Sequence, residues 1–154
     1  MRLPLAGGEP ELLREHPSSI DGPQVSPDGR LIAYRTWESG GAVLEVASYP
    51  DMGGRRLVAH SESAICWSPD GRRLYYISQE PFMVMVAERE PGDTFVLKET
   101  RALFATGPLG INPYGEFGVS PDDDAFVFAC ETGDGDQAGS FEVVENWYEE
   151  FRGQ

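Results

Sequence analysis

The sequence predicts an all-β fold: an incomplete β-propeller of about three to four blades, each a four-stranded antiparallel sheet. Three observations carry that expectation. First, Ser26-Pro27-Asp28-Gly29 recurs as Ser68-Pro69-Asp70-Gly71 and, degraded, as Ser120-Pro121-Asp122-Asp123. Second, the copies lie 42 and 52 residues apart. Propeller blades repeat about every 40–50 residues, so the longer step holds an insertion of about ten. Third, apolar residues keep phase with the tetrad: Val25, Trp67 and Val119 precede it, Ile32, Leu74 and Phe126 follow, and Tyr34, Tyr76 and Phe128 stand two further on. Alternate bulky apolar positions describe a buried strand face.

The tetrad itself is a turn device. Proline presets φ for a type I turn, aspartate suits the next position, and glycine takes the left-handed conformation that closes a bulged hairpin. In the third copy Asp123 stands where the others have glycine, a residue that tolerates this conformation at some strain. After the first hairpin come strand-like segments Ala42–Ser48 and Arg55–Ala59, split by the turn residues Tyr49–Gly54. After the second come Phe82–Glu88 and Thr94–Lys98, with Pro91-Gly92-Asp93 between them and Leu103-Phe104 continuing the outer strand.

The organisation that follows is one incomplete propeller domain over residues 1–154. Residues 1–16 are the tail of a preceding blade, because Arg2–Leu5, Gly7-Gly8 and Leu12-Leu13 parallel Glu45–Ala47, Gly53-Gly54 and Leu57-Val58. Blades follow at 17–60 and 61–106. A final partial blade with a C-terminal cap fills 107–154, opening on the insertion Gly107–Gly115, which reads as an extended surface loop. The last strand is expected at Phe141–Glu145. Trp147 and Phe151, four apart, suit a short helical cap or a strand end with an anchoring aromatic.

Composition narrows the function classes. The 154 residues carry 26 acidic and 12 basic side chains, a net charge of -14, with 40% apolar residues. Nucleic-acid binding needs lysine and arginine to neutralise phosphates, and an anionic membrane surface needs the same. No nucleic acid and no membrane insertion are therefore expected, and the charge alone reads as an acidic surface. The longest apolar run, Phe82–Ala87, is far short of the ~20 residues of a spanning helix. Met1–Gly8 lacks the apolar stretch of a signal peptide.

The repeat resembles the TolB-like, WD-repeat-like propellers, carried by Val25–Tyr34 and Trp67–Arg72 and covering nearly the whole chain. That resemblance implies a fold and not a chemistry, since such blades occur in many contexts. The ending Val143-Val144-Glu145-Asn146-Trp147-Tyr148-Glu149-Glu150-Phe151 resembles the terminus of propeller domains that close many bacterial eukaryotic-like Ser/Thr kinases. This second resemblance implies a sensor or interaction module outside the cytoplasm. No Gly-rich phosphate loop, His-Arg-Asp or Asp-Phe-Gly is present, so no kinase activity carries over. Prolyl-oligopeptidase-type enzymes use similar propellers, and their Gly-x-Ser-x-Gly elbow is also missing.

The residues that invite chemistry do not assemble into a catalytic, cofactor-binding or metal-binding set, and no cofactor is expected. His16 and His60 fall at nearly equivalent points of successive repeats, which suits a structural role. Ser26 and Ser68 are turn residues with no base paired to them in sequence. Asp122-Asp123-Asp124 and Asp134-Gly135-Asp136 lack the ligand spacing of a calcium loop and read as solvated turns. Cys66 and Cys130, each in apolar surroundings, are expected as buried free thiols, a Cys66–Cys130 bridge being the alternative.

The arithmetic of closure matters more than any motif. At about 43 residues per blade the chain supplies about three and a half blades, and closed propellers need roughly four to eight. An open arc leaves strand edges unpaired. Either the chain is the C-terminal part of a longer polypeptide, which a start inside a blade favours, or two copies associate as a homodimer that completes one ring.

Overall fold

The protein is described by a computed structural model over residues 1–61, 63–130 and 140–145, with Cys130 and 140–145 described by their backbone. Its strands form three antiparallel sheets in chain order. The first contains β1 (Ile20–Val25), β2 (Leu31–Glu38), β3 (Gly41–Ser48) and β4 (Arg56–His60), hydrogen-bonded in that order. The second repeats the arrangement with β5 (Ile65–Trp67), β6 (Arg73–Ile77), β7 (Met83–Arg89) and β8 (Leu97–Ala105). The third holds β9 (Phe117–Val119), β10 (Ala125–Cys130) and β11 (Ser140–Glu145). The opening strands β1, β5 and β9 of successive sheets approach one another, so the sheets fan out from a shared inner side as propeller blades do.

Each tetrad closes the hairpin between the first two strands of its sheet. The Ser26 hydroxyl accepts from the Leu31 N–H at 3.0 Å and donates to Asp28 Oδ1 at 2.6 Å. Ser68 repeats both contacts, with the Arg73 N–H at 2.9 Å and Asp70 Oδ1 at 2.6 Å. Gly29 and Gly71 stand at φ 71° and 67°, the left-handed region that glycine enters at no steric cost. Asp123 takes the same conformation at φ 63°. There the Ser120 hydroxyl donates to Asp124 instead.

The core lies between sheets. In β2, Leu31 and Ala33 point one way and Ile32 and Tyr34 the other, and all four are buried. Leu31, Ala33, Leu44 and Val46 pack against Ile65, Trp67, Leu74 and Tyr76 of the second sheet. Tyr75, Ile77, Val84 and Val86 pack in turn against Phe126 and Phe128 of the third. The alternating aromatics predicted from the repeat thus face the preceding sheet, and the residues between them face the following one. Inner strands read as continuous apolar runs because both faces are covered.

Several expectations need correcting. Val25 is 43% exposed where Trp67, its counterpart, is 6% exposed: Trp67 packs against the first sheet, and no sheet among the described residues lies against Val25. The outer strand expected at Thr94–Lys98 starts later and runs over Leu97–Ala105, taking in the Leu103-Phe104 continuation, with Phe95 buried just before it against Trp67. The insertion is folded, not extended: a 3-10 turn at Gly107–Leu109 leads to buried Ile111, and both Leu109 and Ile111 join the second core. Cys66 is a free thiol and only half-buried. The proposed cap at Trp147 and Phe151 lies outside the described residues, as does Asp134-Gly135-Asp136.

Two outcomes are expected. Leu74 is wholly buried between the first and second sheets, so Leu74→Ala should cost about 2–5 kcal/mol in denaturant unfolding, while Val25→Ala costs little. A cost for Leu74→Ala no larger than that for Val25→Ala would overturn the inter-sheet core. The second outcome concerns acid. The Asp28 carboxyl sits below its usual 3.8 chiefly because the Ser26 hydroxyl donates to it, against a smaller effect of burial. Burial raises Asp70, yet the Ser68 hydroxyl, the Arg72 N–H and the neighbouring arginines together leave it lowered. Carboxyls lowered on folding contribute stability that is complete above 3.8 and is lost as pH falls through the lower folded values. Ser26→Ala and Ser68→Ala should therefore move the acid-unfolding midpoint upward, followed by tryptophan fluorescence; an unmoved midpoint would contradict this role for the hydroxyls.

Candidate interaction surfaces

None of the residues that invited a chemical reading meets a catalytic partner among the described residues. The His16 Nδ1 accepts from the Ser18 N–H at 3.1 Å, a local turn contact. His60 ends β4, paired with Val43 and exposed. Ser26 and Ser68 are buried, their hydroxyls committed to the hairpins. Burial pushes the Cys66 thiol up, away from the thiolate a nucleophile needs. Among the described residues no three His, Cys, Asp or Glu side chains come together as a metal site.

Antiparallel pairing sorts the loops into two ends. The tetrads share one end with the hairpins that join third and fourth strands. Connections between sheets, and the hairpins joining second and third strands, lie at the other.

The tetrad end is stitched from sheet to sheet. Arg89, at the close of β7, is buried, with side-chain exposure of 5%. Its Nε donates to the Gly71 carbonyl at 2.7 Å, one terminal nitrogen to the Gly92 carbonyl at 2.8 Å, and the other to Asp28 Oδ2 at 3.1 Å. It thereby joins the second tetrad to the first. Arg30 pairs with Asp93 nearby, and the Trp67 indole N–H donates to the Gln24 carbonyl at 3.0 Å. Between the second and third sheets, Arg73 pairs with Asp123, whose other oxygen accepts from the Tyr75 hydroxyl at 2.9 Å. Burial raises the Asp123 carboxyl more than Tyr75 and Arg73 lower it.

At the opposite end the insertion meets the hairpin between β6 and β7. Gln79, Glu80, Phe82 and Tyr114 line a cleft of ≈ 320 Å³. The rings of Phe82 and Tyr114 meet edge to face at 5.6 Å between centroids, and Tyr114 is 59% exposed. The insertion is held in place by Ser63, whose hydroxyl donates to the Pro113 carbonyl, and by an Asn112 side chain that accepts from the Tyr114 N–H at 3.0 Å. A half-solvated aromatic beside carboxamide and carboxylate groups suits a protein or peptide contact.

This geometry matches known folds. A solved TolB from Acinetobacter baumannii superposes with a TM-score of 0.65 at 18% identity, covering 92% of this chain and 33% of that one. The chain has a TolB-like propeller fold. A protein described as a TolB from Agrobacterium tumefaciens gives 0.61 at 24% identity, covering 94% of this chain and 50% of that one. An acylaminoacyl peptidase from Pyrococcus horikoshii gives 0.57 at 12% identity, covering 86% of this chain and 24% of that one. The chain thus spans between a quarter and a half of these proteins. No protein-family model and no curated protein matches it.

Within this TolB-like arc, sequence reasoning overlooked Arg89 and Tyr114. Arg89 had a faint signal, a charged residue ending the apolar run of β7. Tyr114 sat in the insertion among turn-forming residues, and only the burial of Ile111 and Leu109 shows why that loop is held firm. Removing the buried arginine should separate its role from that of an exposed pair. Arg89→Met is expected to cost about 1.5–3 kcal/mol, since two carbonyls and a carboxylate lose charged donors. Arg30→Ala, at a solvent-exposed pair, should cost less than about 1 kcal/mol. Equal costs in thermal unfolding would refute the distinction.

Proposed function

We propose that the chain is a non-enzymatic protein-interaction module, a TolB-like propeller fragment that engages a protein partner through the insertion cleft. The observation that carries this reading is Tyr114: a large, exposed aromatic on an insertion that interrupts the blade repeat and is anchored by Leu109, Ile111 and Ser63. An ordered aromatic at a rim contributes contact area at low entropic cost. The carboxylate of Glu80 in the cleft favours a partner segment with a basic residue flanking an apolar one. In this reading residues 1–154 act as a single incomplete domain, with 1–16 the tail of a preceding blade, blades at 17–60 and 61–106, and a partial blade with its cap over 107–154. A sensor role at the end of a bacterial Ser/Thr kinase rests on the resemblance of Val143–Phe151 alone.

The second reading is the propeller portion of a prolyl-oligopeptidase-like hydrolase whose catalytic domain lies elsewhere, and the likeness to the Pyrococcus peptidase favours it.

The test uses arrays of synthetic peptides, varying in charge and aromatic content, probed with the purified chain. Apolar peptides with basic flanks should be retained, and Tyr114→Ala or Phe82→Ala should weaken retention while leaving the circular dichroism spectrum intact. Retention indifferent to both substitutions would sink the cleft. Ester or peptide turnover that depends on Ser26 or Ser68 would overturn the non-enzymatic reading.

A further inference from the structure

The cleft at the end opposite the tetrads contains an aromatic corner. The ring planes of Phe82 and Tyr114 stand at 73° to one another with their centroids 5.6 Å apart, and both rings line the cleft together with Gln79 and Glu80. The face of an aromatic ring carries partial negative charge and its edge partial positive charge. Two ring faces meeting at an angle, a carboxylate and a carboxamide oxygen all present the same sign of potential to a guest, the negative one. Nothing in the protein answers that charge. Glu80 is exposed, and the ion pairs among the described residues are made by other acids. The net charge of -14 adds a longer-range field of the same sign, which draws cations toward the cleft.

The walls of the corner are held from both sides. In the hairpin that carries Glu80, the Ser78 N–H donates to the Met83 carbonyl at 2.9 Å and the Ser78 hydroxyl to the Pro81 carbonyl at 2.7 Å. Phe82 packs on the second core, and its carbonyl accepts from the Thr106 N–H at 3.1 Å, which ties the hairpin to the start of the insertion. Across the cleft, the Gly115 N–H donates to the Asn112 carbonyl at 3.0 Å and closes the turn that carries Tyr114. A site whose walls are ordered beforehand loses less entropy when it is filled.

We propose that this corner takes the ammonium head of a lysine side chain on the protein partner. The proposal rests on the reading of the cleft as a protein-binding site and names the residue that the site selects. An ammonium is compact, so it can approach two ring faces set at a large angle and still donate to the Glu80 carboxylate. A guanidinium is planar and stacks on one face at a time. A trimethylated ammonium keeps its attraction to the rings and has no N–H for Glu80. The apolar stem of the lysine lies along the ring of Tyr114 while its charge stays at the solvated mouth.

Calorimetric titration of the full chain tests this, with a peptide retained by the arrays carrying lysine, arginine, trimethyllysine or norleucine at its basic position. The lysine peptide should bind tightest and the norleucine peptide about tenfold more weakly. Tyr114→Leu keeps an apolar side chain at an exposed position and removes the ring; Glu80→Gln keeps the shape and removes the charge. Each should shrink the lysine-to-norleucine ratio about threefold or more, and Glu80→Gln should also erase the advantage of lysine over trimethyllysine. Circular dichroism confirms that both variants fold. Arginine binding as tightly as lysine, or a ratio unmoved by Tyr114→Leu, overturns the proposal and leaves the cleft a peptide site. If the arrays retain no peptide, the reading of the cleft as a peptide site fails and butylammonium chloride probes the corner directly. Its methylene proton resonances should move upfield with the unaltered chain, from the ring currents of Phe82 and Tyr114, and not with Tyr114→Leu. No such shift at up to about 10 mM probe overturns the ammonium site as well.

Discussion

A β-sheet that is apolar on both faces is stable only when both are covered, and that constraint organises the molecule. Each inner strand here has no polar side to show water. Leu31, Ile32, Ala33 and Tyr34 are consecutive and all buried, as are Leu74, Tyr75, Tyr76 and Ile77. Burying one large apolar side chain contributes about 1.5–3 kcal/mol. A sheet offering several to each neighbour therefore gains more from stacking than from any single turn or ion pair. The tetrads and arginines act within that arrangement: they fix the angle and register at which one sheet meets the next.

The hydrogen-bonded stitches are distributed accordingly. At the tetrad end those of Arg89, Arg30, Trp67 and Arg73 each cross from one sheet to its neighbour. Arg89 holds the Gly71 carbonyl and the Asp28 carboxylate together, so two turns with the same local chemistry become one unit. Gly71 suits that place because the residue stands at φ 67°, a conformation that costs side-chain-bearing residues strain. The opposite end, free of such stitches between tetrads, has room for the insertion and its exposed aromatic.

What was legible in the sequence follows from these distances. The inner strands were readable because turn chemistry is local: a Ser-Pro-Asp-Gly tetrad specifies its hairpin through contacts within five residues, and the apolar residues beyond it keep phase. The start and the middle of the outer strand β8 were missed because Lys98, Glu99, Thr100 and Arg101 lie at the rim, where both faces meet solvent and no alternation is imposed. The insertion looked like a loop because Asn112, Pro113 and Gly115 are turn formers, and its two anchors, Leu109 and Ile111, are too few to set a period. The cleft at Tyr114 depends on two segments more than thirty residues apart in sequence, which no spacing rule joins.

The third tetrad shows how a departure from the repeat can be part of the design. Asp123 in the left-handed region costs about 1–2 kcal/mol relative to the glycine of the other copies. Glycine there would be easier for the turn alone. Yet glycine has no carboxylate, and the carboxylate of Asp123 is what Arg73 and the Tyr75 hydroxyl reach from the second sheet. A hydrogen bond to a charged group contributes about 1.5–3 kcal/mol when sheltered from water. Asp123 is partly buried, so the two contacts offset part of the backbone strain and of the cost of burying the carboxylate. Tyr75 faces the third sheet and would otherwise bury a phenol without a partner beside Phe126, with which it packs edge to face at 5.0 Å. The substitution therefore trades ease of turning for a polar lock between the second and third sheets, at the position where the first and second sheets use Arg89 instead.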